Sequence, residues 1–204
     1  MQDLVLYNKP ECPFCWKVRI ALCEAGIDAR LVDSATGGAQ AVWRSLTPNQ
    51  TVPVLVGDGL VIHESTVILE YLADRSGHLL PKSPSGRVVP RLINAYCDSV
   101  VGGGLREVVF EKRGKKAEDW DQARIDAGVA AFEQALVYLS GRLGPQPYFG
   151  TEYSMAECAL TARLALAEVY GVRVPERFRN LREWYARMKA RPSFGVAFPL
   201  TAVS

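Results

Sequence analysis

Histidine is almost missing from this 204-residue chain, which has only His63 and His78. They stand too far apart for a His-x-x-x-His pair, and Cys12 and Cys15 have no second Cys-x-x-Cys to complete a zinc site. No metal is expected. Cys23, Cys97 and Cys158 bring the cysteines to five. An odd, irregular set is not the disulfide framework of a small secreted protein. Long apolar runs are also lacking, since none nears the ~18 residues that cross a bilayer. The opening stretch MQDLVLYNKP has neither the basic start nor the apolar middle of a signal peptide. A cytoplasmic location, with reduced thiols and no membrane partner, is therefore the expectation. An excess of one charge is lacking too. There are 24 Lys and Arg against 22 Asp and Glu, a net +2, which leaves no electrostatic footprint for nucleic acid. Repeats and low-complexity tracts are absent.

What is present is the composition of a globular protein with a core, 49% hydrophobic and 23% charged. The charge is unevenly spread. Residues 1–80 carry a net −3 and residues 81–204 a net +5. The run EKRGKK at 111–116 feeds that excess and reads as a solvated connection between helices. GHLLPKSPSGRVVP at 77–90 holds two glycines and three prolines and marks a change of character. Short strands and helices alternate before it, and everything after it reads as helix. The expected division is a first domain over 1–78, a linker over 79–89 and an all-helical domain over 90–204.

In the first part, DLVLY (3–7) reads as a strand, and Pro13 to Ala25 as a helix that Pro13 opens and Gly26 ends. ARLVD (29–33) is a second strand, so the βαβ unit predicts two parallel strands with a right-handed crossover. After an irregular stretch, VPVLV and LVIH flank GDG (57–59), a hairpin signal. ESTVILEYLADRSG follows as a helix capped by Ser65 or Glu64 and closed by Gly77. The order βαβ-ββα makes a small mixed sheet with helices on both faces. In the second part, apolar spacing predicts helices over 85–112, 117–143, 154–170 and 178–191. Ser154, with Glu157 three residues on, predicts a capping box. GGG at 102–104 costs about 1 kcal/mol per glycine inside a helix, which predicts a kink or a close approach there.

This layout puts Cys12-Pro-Phe-Cys15 at the head of the first helix. A thiol there faces unpaired backbone N–H groups and the positive end of the helix dipole, and both stabilise a thiolate. Cys12, before Pro13, is the better nucleophile. Cys15 lies inside the first turn, where it either resolves a mixed disulfide or packs. Cys23 and Cys158 read as small core residues, and Cys97 as core filler on the long helix after the linker. Tyr96, Leu105, Val109 and Phe110 on the same helix read as core or as the lining of an apolar subsite. Tyr7 reads as a packed strand-end residue.

The βαβ-ββα domain with CPFC at its first helix resembles the thioredoxin fold of glutaredoxins. With an all-helical second half attached, the chain resembles the glutathione transferases over nearly its whole length. TVPVL (51–55) is similar to the family's Val-Pro segment, and IHESTVILEYL (62–72) to its Glu-Ser motif. YFGTEYSMAECALTARL (148–164) is similar to its buried N-capping segment. The CPF triplet resembles the cysteine classes, omega and dehydroascorbate reductase. YNKPEC resembles the bacterial beta class and WKVRIAL the zeta class.

The resemblance implies an α/β thioredoxin-like domain that binds glutathione and an all-α domain that contributes the second-substrate site. It implies a cis Pro53, pairing of the Val52 backbone with the cysteinyl part of glutathione, and Glu64 and Ser65 at the γ-glutamyl end, with Phe14 in the same site. A carboxylate does suit a helix N-terminus with a hydroxyl, and an acidic side chain suits an α-amino group. Thr51 stands where relatives often carry lysine, so a cation for the glycyl carboxylate has to come from elsewhere. The activity implied is glutathione-dependent thiol transfer or reduction of a small second substrate through Cys12. The alternatives are conjugation to electrophiles, a related isomerase or etherase reaction, and a non-catalytic interaction protein on the same fold. A homodimer is implied as well.

Overall fold

The computed structural model describes residues 4–198. They form two units. One holds residues 4–87 and 191–198; the other is Val88–Ala190.

The first unit opens on strand β1 (Leu4–Asn8), helix α1 (Pro13–Glu24) and strand β2 (Ala29–Asp33). β1 pairs with β2 in parallel, Leu4 opposite Ala29, the arrangement the βαβ pattern requires. Helix α2 (Ala39–Leu46) follows, then strands β3 (Val54–Gly57) and β4 (Leu60–His63) and helix α3 (Ser65–Ser76). β3 lies antiparallel to both β1 and β4, giving the sheet order β2-β1-β3-β4. Asp58 and Gly59 turn the hairpin with positive φ at both positions, the condition a type I′ turn sets. The α/β thioredoxin-like layout expected from the sequence is the one observed.

Two elements of this unit do not show as patterns in the sequence. α2 lies in the stretch read as irregular and is only eight residues long, too short for a clear period. One residue anchors it: Trp43 is buried and donates from Nε1 to the Ser34 carbonyl at 3.0 Å. The other is a short helix, Pro192–Ala197, called α9 here because it ends the chain order. It returns to the first unit and packs on α1, which also packs on α3. Flanked in this way, α1 buries every residue from Cys15 to Leu22, Lys17 and Arg19 included, rather than one apolar stripe. Cys23 is a correction. It is exposed, since it falls one residue beyond that buried stretch.

The second unit holds α4 (Val88–Tyr96), a π-helical turn (Cys97–Val101), α5 (Gly102–Lys112), α6 (Gln122–Leu143), α7 (Met155–Val169) and α8 (Arg179–Lys189). Asp121 caps α6 by accepting from the Arg124 N–H at 3.1 Å. Ser154 and Glu157 form the expected capping box at α7. The glycines serve close approach. A Cβ on Gly104 would lie 2.8 Å from the Phe132 backbone nitrogen, and one on Gly128 would lie 2.9 Å from the Gly104 carbonyl. They are the crossing point of α5 and α6. Gly102 instead makes room for the Arg163 guanidinium, which pairs with Asp98 at 3.1 Å.

Leu105 and Val109 are core, Tyr96 is half-buried and Phe110 is exposed. Cys97 and Cys158 are buried, as read from the sequence. EKRGKK is exposed except at its first residues. Glu111 is buried, because Lys115, Arg124 and the Asp121 N–H all converge on its carboxylate.

Candidate active site

Cys12 is the N-cap of α1 with extended backbone (φ −91°, ψ 119°), and Pro13 takes the first helical position. Proline has no N–H, so it removes one of the unpaired donors that a helix start leaves. No acidic residue occupies the first turn, and no side chain caps it. The positive end of α1 therefore meets Cys12 with no acidic side chain in the first turn. Cys12 is partly exposed and Cys15 fully buried. The two thiols are hydrogen-bonded to each other. Burial pushes the Cys15 thiol well up, and the hydrogen bond and charge of Cys12 push it further. The Lys9 N–H, donating to Cys15 Sγ at 3.4 Å, and the Arg19 guanidinium pull the other way and do not prevail. The net effect holds the Cys15 thiol well above the ordinary cysteine range.

A separate cavity of about 280 Å³ opens in the same unit, lined by Phe14, Asn49, Thr51, Val52, Pro53, Glu64 and Ser65. It lies just below the range of roughly 300–1,000 Å³ usual for small-molecule sites. Its wall comes from the segment before β3, where the Val52–Pro53 peptide is cis, and from the head of α3. Glu64 sits at the N-cap of α3 with φ 65° and ψ 112°. Such a conformation in a residue with a side chain costs about 1–3 kcal/mol. It turns the chain sharply from β4 into α3. The carboxylate does not cap its own helix. Instead Asn49 Nδ2 donates to Glu64 Oε1 at 3.4 Å.

Phe14, Val52, Pro53, Glu64 and Ser65, named from three separate stretches of sequence, thus line one cavity. Cys12 and Cys15 are not among its lining residues and form their own cluster at the head of α1, joined to the cavity in sequence through Phe14. Asn49 and Thr51 belong to the lining as well. Asn49 was not singled out from sequence, though the polar, turn-rich TPNQT before the Val-Pro pair was a usable signal. Arg19, which acts on both thiols, gave no signal, since nothing local shows that it is buried. Among the described residues no group of histidine, cysteine or acidic side chains is arranged to hold a metal. No helix there is long and apolar enough to cross a membrane.

Comparison with known proteins bears on this geometry. The family model for the glutathione S-transferase N-terminal domain matches residues 11–75, and that for the C-terminal domain matches residues 122–187. Maleylacetoacetate isomerase of Rattus norvegicus is 33% identical, over 82% of this chain and 80% of its own. The chain belongs to the glutathione S-transferase superfamily. A theta class glutathione S-transferase from Xanthomonas axonopodis pv. citri, crystallised with glutathione bound, superposes with a TM-score of 0.86 at 25% identity, covering all of both chains. A protein named FtsZ-localized protein A, from Caulobacter vibrioides, is 28% identical over 94% of this chain and 89% of its own. As a member of the superfamily the protein is a glutathione transferase-fold enzyme. The cavity at the Val-Pro and Glu-Ser segments lies within the matched N-terminal domain.

Proposed function

We propose that this transferase-fold enzyme is of the cysteine type and carries out glutathione-dependent thiol transfer on a small second substrate. The observation that carries the reading is a partly exposed Cys12 at the head of a helix with the buried thiol of Cys15 three residues on. In the proposed cycle the Cys12 thiolate attacks a sulfur of a glutathione mixed disulfide. A Cys12–glutathione disulfide forms and the partner thiolate leaves. A glutathione thiolate then attacks the glutathione sulfur of that intermediate, which releases glutathione disulfide and returns Cys12 as a thiolate. Cys15 donates a hydrogen bond to Cys12 in the resting state.

Glutathione occupies the cavity beside Phe14, with the Val52 backbone on its cysteinyl part and Glu64 and Ser65 at its γ-glutamyl end. This is supported by the bound glutathione of the Xanthomonas neighbour. Residues 1–78 form the glutathione-binding domain, 79–89 the linker, and 90–204 contribute the second-substrate site. The homodimer and the cytoplasmic location carry over from the family as part of the same reading.

One further reading has a specific observation behind it. The Rattus norvegicus relative is named for an isomerase, and that favours a glutathione-dependent isomerisation in which Cys12 is not itself the nucleophile. Treatment with oxidised glutathione decides. Thiol transfer predicts a mass increase of about 305 Da on Cys12 in preference to the other four cysteines, because thiolate character governs exchange. Labelling spread evenly, or centred on Cys97, would overturn the proposal.

A further inference from the structure

Burying an arginine is costly, since its guanidinium stays charged and carries five N–H donors. Arg19 is only 6% exposed. Its Nη1 donates to Asn8 Oδ1 at 3.0 Å and its Nη2 to the Pro10 carbonyl at 3.0 Å. Its Nε is buried without a hydrogen-bond partner. Asn8 is itself buried at the end of β1 and donates to the Val32 carbonyl at 3.2 Å. The Trp16 indole donates to the same Pro10 carbonyl. The head of α1 thus holds a desolvated cation whose hydrogen bonding is incomplete. A neutral amide would satisfy Asn8 and Pro10 at lower cost, so the charge itself calls for a purpose.

Position supplies one. Cys15 precedes Arg19 by four residues and Cys12 by seven, so all three share one face of α1. The segment that Arg19 grips, from Asn8 to Pro10, is the one that delivers Cys12 to the helix. Both thiols favour the charged form of Arg19 against the burial that lowers its pKa. The other charges near this end of the unit are one more buried cation, Lys17, and groups that are ion-paired or exposed. Lys17 reaches Thr66 on α3 at 3.5 Å. Arg191, brought in by α9, is bound to Glu24 at the far end of α1. Lys9 and Glu11 are exposed on the loop.

We propose that Arg19 is the positioning residue of the thiol pair: it fastens the Asn8–Pro10 segment and supplies the fixed, buried positive charge under which Cys12 reacts as a thiolate. The proposal rests on Cys12 being the reactive thiol.

The test is the pH dependence of Cys12 alkylation by iodoacetamide on the full chain, with the modified peptide located by mass. Arg19→Gln is expected to move the midpoint up by about one unit, which slows alkylation about tenfold at pH values well below both midpoints. The rate well above the midpoint should change little. Arg19→Lys, which keeps the charge but loses the fork, should recover part of the loss. A folded Arg19→Gln with an unmoved midpoint would overturn the proposal. Should that variant not fold, the parent answers through salt. A buried cation is poorly screened whereas an exposed helix end is screened, so the parent midpoint should hold between about 50 mM and about 1 M salt. A midpoint that climbs with salt overturns the proposal. Alkylation of the parent that bypasses Cys12 overturns the thiol-transfer reading with it, whereas an unmoved midpoint with Cys12 labelled overturns the role of Arg19 alone.

Discussion

Arg191 grips Glu24 with both ends of its fork, Nε to Oε1 at 2.7 Å and Nη2 to Oε2 at 2.6 Å. Ser193 adds a third hydrogen bond to Oε1. This carboxylate is what fastens α9 to the end of α1. Burial alone would raise the Glu24 pKa, but the hydrogen bonds and charge of Arg191, with Ser193, hold it below the ordinary value. A carboxylate depressed in the folded state stabilises the fold above its unfolded pKa and loses that contribution as pH falls. Arg191→Ala should therefore lower stability by about 1–3 kcal/mol at neutral pH, the usual cost of losing a hydrogen-bonded charge partner. The deficit against the parent should shrink below about pH 4.5 as Glu24 protonates. Urea titrations at both pH values measure it, and equal deficits at the two would contradict the assignment.

The α5–α6 crossing sets two magnitudes against each other. Alanine is favoured over glycine inside a helix by about 1 kcal/mol, so Gly104→Ala should stabilise on propensity alone. The added Cβ would meet backbone at 2.8 Å, and backbone cannot swing aside. Overpacking typically costs about 1–3 kcal/mol, so the expected outcome is net destabilisation. Gly103→Ala, with open space around its Cβ, should be neutral or stabilising. Paired thermal unfolding of the two variants checks the ordering.

Glu157 is almost wholly buried and accepts from the Phe149 N–H at 2.9 Å, the Ser154 N–H at 2.8 Å and the Ser154 hydroxyl at 2.7 Å. Glu157→Ala would strand three buried donors, at about 1–3 kcal/mol for each one left unsatisfied. It should be among the more damaging single changes in the helical unit, and Glu157→Gln, which keeps an acceptor, should be milder. Denaturant midpoints of the two variants decide. Desolvation raises the Glu157 pKa above that of an ordinary carboxylate despite these bonds. Its ionisation therefore weakens the fold, and the contribution of Glu157 to stability should decline as pH rises through that pKa.

For the cavity, Ser65→Ala should weaken glutathione binding by about 1–3 kcal/mol, the cost of losing a hydrogen bond to a charged group. Glu64→Ala should weaken it also. Isothermal calorimetry reads both, and parent-like binding in both variants would place the tripeptide elsewhere.

Cys12→Ser should abolish glutathione-dependent reduction of a small disulfide, because an alcohol cannot form the mixed disulfide. Cys15→Ser should keep that activity, since exchange with glutathione needs one thiol, and lose any reaction that needs an internal disulfide. Steady-state assays with a glutathione mixed disulfide separate the two. Reduction left intact in Cys12→Ser would end the thiol-transfer reading.

The fold class was legible because its signals are local. The order of strands and helices, the hairpin glycine and the Ser154–Glu157 box each depend on a few adjacent residues and on backbone hydrogen bonding. CPFC was legible for the same reason, as two thiols at a helix head, whereas the Val-Pro and Glu-Ser pairs were named through the resemblance to the glutathione transferases. Burial is different, since it depends on what packs where from far along the chain. Cys23 and Cys15 lie on one helix, yet one is exposed and the other fully enclosed. Arg19 reads as a surface residue until the fold sets its guanidinium against Asn8 and the Pro10 carbonyl. Asn49 joined Glu64 only when the loop before β3 folded against the head of α3. The sequence determined which chemical groups exist and which backbone elements carry them. Tertiary packing decided which groups lose water, and desolvation governs which thiol keeps its proton, where a buried charge acts and which glycine tolerates no side chain.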